Sequence, residues 1–326
     1  MILVIFLSFM SLLAISNAEL PMLSVGGFSW AENLVFDGLG GLYASEMHRG
    51  ELIRISLCED KQTYCQAVHV SGFSNIGGLA VSPDGNTIYA AVSWDNKTNG
   101  IIAAPTKPPT PSQDPNSSTY TIIGKTTKKP NGMQLYNGVF YCTEEGGIKG
   151  NGSVFTLDLA TGTEQIVHTA INADGAWLDI NSKRLFIGQV KSMNVAVFNV
   201  SSNSRDVVYD GNFNGPAGQI NHPELQILDD LTLDFKGGQS SGPVGSLANT
   251  QLLGADWLGK KLLRFSLDGS SMTTVSVPDD VKLKELTSVR WGKGPGFDED
   301  SVYVSEGGGM TKHVTSRRIV QIKMIG

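Results

Sequence analysis

The chain has 326 residues, with 31 Asp and Glu against 25 Lys and Arg, and a net charge of −6. That length suits one large all-β domain as well as two smaller ones, and it is ample for a buried core. The acidic balance, with no basic run beyond "KTTKK" and "SRR", argues against a nucleic-acid footprint.

Residues 1–15 are uncharged and almost wholly apolar, a run too short for a membrane span. Ser16 and Ala18 place small residues at the −3 and −1 positions before Glu19. The pattern predicts a secretory signal peptide over 1–18 and a mature chain over 19–326, destined for the extracellular space. No later stretch is long and apolar enough to span a bilayer. Four sequons, at Asn96, Asn116, Asn151 and Asn199, agree with export. So do Cys58 and Cys65, which flank a short polar stretch between two strand-like runs, where a disulfide across the hairpin suits an oxidising compartment. Cys142, left over in "VFYCTE", reads as a buried free thiol.

Beyond the leader the sequence repeats. Six strand-like windows recur: "ENLVFD" from Glu32, "GGLAVS" from Gly77, "NGMQLY" from Asn131, "DGAWLD" from Asp174, "DDLTLD" from Asp229 and "ELTSVR" from Glu285. A second strand follows each: "GLYASE", "TIYAAV", "GVFYCT", "RLFIGQ", "QLLGAD" and "SVYVSE". In five windows the third and fifth positions are apolar, as in Leu34/Phe36 and Leu231/Leu233, and the sixth has Thr287/Val289. That is the period of a strand. Third and fourth strands follow in several units, such as "ELIRISL" and "QAVHV", or "NVAVFNV" and "RDVVY". Four short strands per repeat of about 43 to 56 residues predict an all-β fold, a six-bladed β-propeller in one domain. The last unit offers only "RRIVQIKM" beyond its first two strands, so "PMLSVGG" near the start of the mature chain is predicted to supply the outer strand and close the ring. The Pro-rich stretch Ala104 to Ser118, "GNFNGPAGQINHPE" and "FKGGQSSGPVGSLAN" read as insertions.

The first window positions are Glu32, Gly77, Asn131, Asp174, Asp229 and Glu285. Asp, Glu and Asn hold five of six places in a register fixed by other residues. In a propeller these places converge on one mouth of the central channel. Carboxylates about 4 Å apart repel by roughly 4 kcal/mol per pair at an effective dielectric near 20, so protons or a cation must balance them. Oxygen-only donors favour Ca²⁺ ahead of Mg²⁺, and the absence of His and Cys argues against Zn²⁺. The alternative is that these residues cap turns between blades.

These windows, with "ENLVFDGLGGLYASE", "KPNGMQLYNGVFYCTEE" and "ADGAWLDINSKRLFIGQ", resemble the calcium-dependent six-bladed propellers. That group comprises the senescence-marker-protein/gluconolactonase family, diisopropylfluorophosphatase and the paraoxonases. The resemblance implies a catalytic Ca²⁺ held by Glu32, Asn131, Asp174 and Asp229, and hydrolysis of a lactone, aryl ester or organophosphate. Asp229-Asp230 is similar to the Asp-Asn pair of paraoxonases. Gly77 stands where paraoxonases carry a catalytic His, so a His dyad is not supported. Glu285 resembles, by position, the acidic residue of strictosidine-synthase-like propellers, as a pocket group or a turn cap.

On this reading Ca²⁺ polarises the scissile bond, with Asp229 first and Asp174 second as base or nucleophile toward a small ester or lactone substrate. Loops on the same face offer Met47, His48, Trp94, Glu144, Lys191, Trp257 and His313 as pocket residues. A second class of function stays open, a secreted propeller that binds a ligand or protein around a structural calcium. "GQSSG" at 238–242 matches a nucleophile elbow in letters but lacks the strand-to-helix context. Walker and dinucleotide motifs are absent.

Overall fold

The computed structural model describes residues 22–95, 97–107, 120–146, 151–190, 194–202, 204, 206–214, 228–234, 251–266, 272–279, 281–307 and 317–324. Among these residues the secondary structure is all strand: 24 strands form six four-stranded antiparallel sheets. β1 (Ser24–Phe28) comes first in the chain. Blade 1 is β2 (Ala31–Phe36), β3 (Leu42–Glu46), β4 (Glu51–Leu57) and β5 (Tyr64–Val70). Blade 2 is β6 (Asn75–Val81), β7 (Thr87–Ser93), β8 (Asn99–Pro105) and β9 (Thr121–Thr126). Blade 3 is β10 (Met133–Tyr136), β11 (Val139–Glu144), β12 (Gly152–Asp158) and β13 (Glu164–Ile171). Blade 4 is β14 (Ala173–Asp179), β15 (Arg184–Gln189), β16 (Asn194–Val200) and β17 (Val207–Asn214). Blade 5 is β18 (Leu228–Leu233), β19 (Gln251–Asp256), β20 (Lys261–Ser266) and β21 (Met272–Thr274). Blade 6 is β22 (Leu286–Trp291), β23 (Ser301–Glu306), β24 (Arg317–Lys323) and, as its outer strand, β1.

The ring closes as the sequence predicts. β1 pairs with β24 through Ser24↔Val320 and Val25↔Ile319, and Leu23, Val25 and Phe28 enter the core between blades 6 and 1 with Phe36, Ile53 and Ile319. The first strand of each blade touches the first strand of the next, from β2 round to β22 and back to β2. The core lies between the blades: Tyr43 of blade 1 meets Leu79 and Ile88 of blade 2, and Phe186 of blade 4 meets Leu231 and Leu263 of blade 5. Burial therefore falls outward, from an all-buried β18 to a largely exposed β5.

Cys58 and Cys65 form a disulfide across the β4–β5 turn, with Cα atoms 5.2 Å apart. Cys142 is free and buried among Phe140, Phe155 and Leu157, where burial pushes its thiol far above the ordinary range. That protonated thiol is a core residue, not a nucleophile. β17 runs on to Asn214, so the first residues of "GNFNGPAGQINHPE" are strand rather than insertion. "GQSSG" and most of the Pro-rich stretch lie outside the described residues.

One register differs from the sequence reading. Ala31 pairs with Glu46 and Leu286 with Glu306 before each ladder shifts. The blade 6 residue equivalent to Glu32 is therefore Thr287, and Glu285 lies two residues upstream of the ring. The sequence pattern places Thr287 and Val289 as the inward pair of the sixth window. In the observed register Val289 and Trp291 take those places, which restores the apolar pattern of the other blades.

Candidate metal centre

The ladder shifts explain how side chains reach the channel. In β2, β14, β18 and β22 an irregularity follows the first paired residue, and in β6 it follows the second, Ile76. A bulge bends the strand and re-aims the unpaired residue. The residues at that place are Glu32, Gly77, Asp174, Asp229 and Thr287, and Asn131 precedes β10 at the matching position. Glycine often follows: "NG" at 131–132 and "DG" at 174–175. A Cβ on Gly132 would stand 2.5 Å from Asp174 O, and one on Gly175 would stand 2.4 Å from Asp230 Oδ1. Only glycine lets each innermost strand come that close to the next blade's acid.

Three of the predicted ligands meet. Glu32, Asp174 and Asp229 are buried, and each offers an oxygen within 4.8 Å of the others. Asn131 joins them, donating from Nδ2 to Asp174 Oδ1. Turning that amide over brings Oδ1 to the same place. At this spacing each ionised pair costs roughly 3 kcal/mol or more at an effective dielectric near 20. Burial, opposed by the Trp30 hydrogen bond and reinforced by the charges of Glu145 and Asp230, pushes Glu32 up to about 7. Burial and the neighbouring carboxylates raise Asp174 and Asp229 well above the usual carboxylate range. Among the described residues no Lys or Arg makes an ion pair with these three acids. A hard cation fits this all-oxygen, anionic donor set.

Asp230, next to Asp229, has a different fate. Its carboxylate accepts from Ser288 Oγ and Arg290 Nη1 at 2.5 Å each and from Leu231 N at 2.8 Å. It ties blade 5 to blade 6 and has its counter-charge in Arg290.

The predicted pocket residues divide. Met47 lines a cavity of about 490 Å³ beside the acids, with Gly77, Lys129, Asn131, Glu144, Glu145 and Asn151. Gly77 forms part of its wall, and a Cβ there would stand 2.8 Å from Pro130 O. Glu144 is engaged by Ser153 Oγ at 2.9 Å and Lys128 Nζ at 3.0 Å. Trp257 and His48 flank Trp30, with ring centroids 6.0 and 5.2 Å away. Trp94 packs edge-on against Phe73 inside blade 2. Glu285 pairs with Arg317 Nη2 at 2.6 Å. His313, Lys191, Asn96 and Asn116 lie outside the described residues, whereas Asn151 and Asn199 are exposed. The sequence reading missed two residues. Trp30 donates from its indole to Glu32. Glu145 is exposed, and its charge reaches all three acids.

At the far end of the channel a second cavity, of about 630 Å³, is lined by Phe36, Leu135, Trp177, Ile180 and Trp291. Arg290 lines that cavity and holds Asp230.

Fold and site together define a six-bladed β-propeller with a buried carboxylate cluster at one channel mouth. Solved structures with this fold include a luciferin-regenerating enzyme, 13% identical with a TM-score of 0.65 over 94% of this chain and 96% of that one. Regucalcin, a calcium-binding protein from Agrobacterium tumefaciens, is 12% identical, with a TM-score of 0.63 over 94% and 96%. A gluconolactonase from Xanthomonas campestris is 12% identical, with a TM-score of 0.60 over 92% and 89%. No protein-family model and no curated protein sequence matches the chain.

Proposed function

We propose that the chain is a secreted, calcium-dependent hydrolase of a lactone or related ester. The observation that carries this reading is the buried convergence of Glu32, Asp174 and Asp229, with Asn131 beside them, in a fold also found in a gluconolactonase and in a calcium-binding protein. These four residues would hold Ca²⁺. Bound there, the ion supplies Lewis acidity toward a carbonyl oxygen.

Asp229 acts as the base. Its carboxylate takes a proton from water as the water oxygen bonds to the carbonyl carbon. The bond to the leaving oxygen then breaks, and the proton returns to that oxygen. Asp174, bonded to Asn131, shares the cluster and is the second choice for this role. The cavity beside Gly77 and Asn131 receives the substrate, and Trp30, with His48 and Trp257 against its ring, stands at Glu32. Export is supported by the apolar leader over 1–18, the Cys58–Cys65 disulfide and the exposed sequon at Asn199. Among the described residues no helix is long and apolar enough to cross a membrane.

The test is turnover of a sugar lactone, a phenyl ester and a phosphotriester by metal-stripped protein, with and without calcium. Calcium-restored lactone or ester hydrolysis is expected. Chelator-insensitive turnover overturns the metal mechanism. Calcium binding with no turnover across the panel replaces the enzyme with a binding propeller.

A further inference from the structure

Trp30 lies in the short link between β1 and β2 and is not one of the six ring positions. Its backbone is pinned to blade 1: N–H donates to both oxygens of Glu46, at 3.1 and 3.3 Å, and the carbonyl accepts Met47 N at 3.0 Å. Glu46 is itself buried and also accepts Ser29 N and Ser29 Oγ at 2.7 Å each. The indole sits between His48 and Trp257 of blade 5, at centroid distances of 5.2 and 6.0 Å. Blade 6 makes room for it with Gly307, where a Cβ would stand 3.3 Å from Trp30 Cε2 and 3.4 Å from Nε1. Three blades therefore fix one ring.

The indole nitrogen is a donor only, and its N–H goes to Glu32 Oε2. A carboxylate offers about four lone-pair directions. Occupying one of them fixes the plane of the group and leaves the others to the acid cluster. Blade 6 places Thr287 at its ring position, not a carboxylate, and the Thr287 hydroxyl donates to Ala31 O. The indole stands on that side instead.

We propose that Trp30 is a positioning residue for the cation site, holding Glu32 oriented for the ion. The proposal rests on the reading of the triad as a calcium site. Groups that orient metal ligands are worth about 10–100-fold in metal affinity.

Trp30→Phe keeps an aromatic ring between His48 and Trp257 and removes the N–H. Calcium titration calorimetry of the mature chain is expected to show affinity weakened by about 10-fold or more. The melting temperature of the calcium-free protein should stay near wild type. In a double-mutant cycle, Trp30→Phe added to Glu32→Ala should cost no further affinity, because the oxygen that the indole orients is already gone. A residue with a purely structural role would lower the melting temperature and add its loss in full. Wild-type affinity in Trp30→Phe, or full additivity in the cycle, overturns the proposal alone. Absence of calcium binding by the wild-type protein overturns the calcium site and the proposal together.

Discussion

Asp230 Oδ2 lies 2.5 Å from Arg290 Nη1, a buried ion pair one residue along from Asp229. Two adjacent acids on one strand thus have opposite fates, one clasped by a guanidinium and the other left in the anionic cluster. Breaking a buried pair from one side strands the remaining charge and costs about 3–5 kcal/mol. Arg290→Met should therefore lower the melting temperature by roughly 10 °C, measured by thermal unfolding. Asp230→Asn, which retains an acceptor for Ser288 and removes the charge, should cost less when paired with Arg290→Met than Arg290→Met alone.

Glu32→Gln should separate ligation from folding. The amide keeps an oxygen for Trp30 but removes one charge from a triad that repels itself. Calcium affinity should fall by at least about 10-fold, a loss on the order of 1.4 kcal/mol. The calcium-free protein at pH 8 should be as stable as wild type or more so, because a repelled carboxylate has gone. Calorimetry and thermal melts on the same samples check both halves. A variant that binds normally but unfolds early would make Glu32 a strand residue.

The ring was legible in the sequence because the apolar positions after it set the register without reference to it. Glu32, Asn131, Asp174 and Asp229 could then be read as a set. The same logic misplaced blade 6, where Thr287 occupies the ring and breaks the analogy with the acids, drawing the alignment two residues upstream to Glu285. The partial fit of Thr287 as an inward residue was the available signal. Trp30 was missed because it precedes the repeat, and its contacts come from His48 and Trp257, 18 and 227 residues onward. Glu144 was chosen over Glu145 because nothing in "EEGG" distinguishes them; the structure gives Glu144 to Ser153 and Lys128. Only Ile171 of the blade 3 outer strand is fully buried, so its alternation carries little pattern.

Asp229→Asn tests the base. The side chain retains an oxygen donor and loses the ability to take a proton. Turnover of whichever substrate the wild type hydrolyses should fall by roughly 10²–10⁴-fold in kcat. Calcium should still bind, more weakly by one lost charge. Full activity with calcium bound would move the base elsewhere, with Asp174 the next residue to substitute.

The last prediction concerns pH. Glu32 has a native pKa of about 7 against an ordinary 4.5, and Asp174 and Asp229 are shifted in the same direction. Near neutrality the calcium-free native state therefore holds protons that the unfolded chain has released. Unfolding then releases protons, and stability falls as pH rises. The contribution is fully present below about 4.5 and is lost as pH rises through about 7. Calcium-free protein should lose roughly 5–10 °C of melting temperature between pH 5 and pH 8. Saturating calcium should flatten or reverse that slope, because the ion replaces the protons and binds most tightly when the acids are ionised. A calcium-free melting temperature that does not change across this range would mean the three acids are not held together in the protonated state.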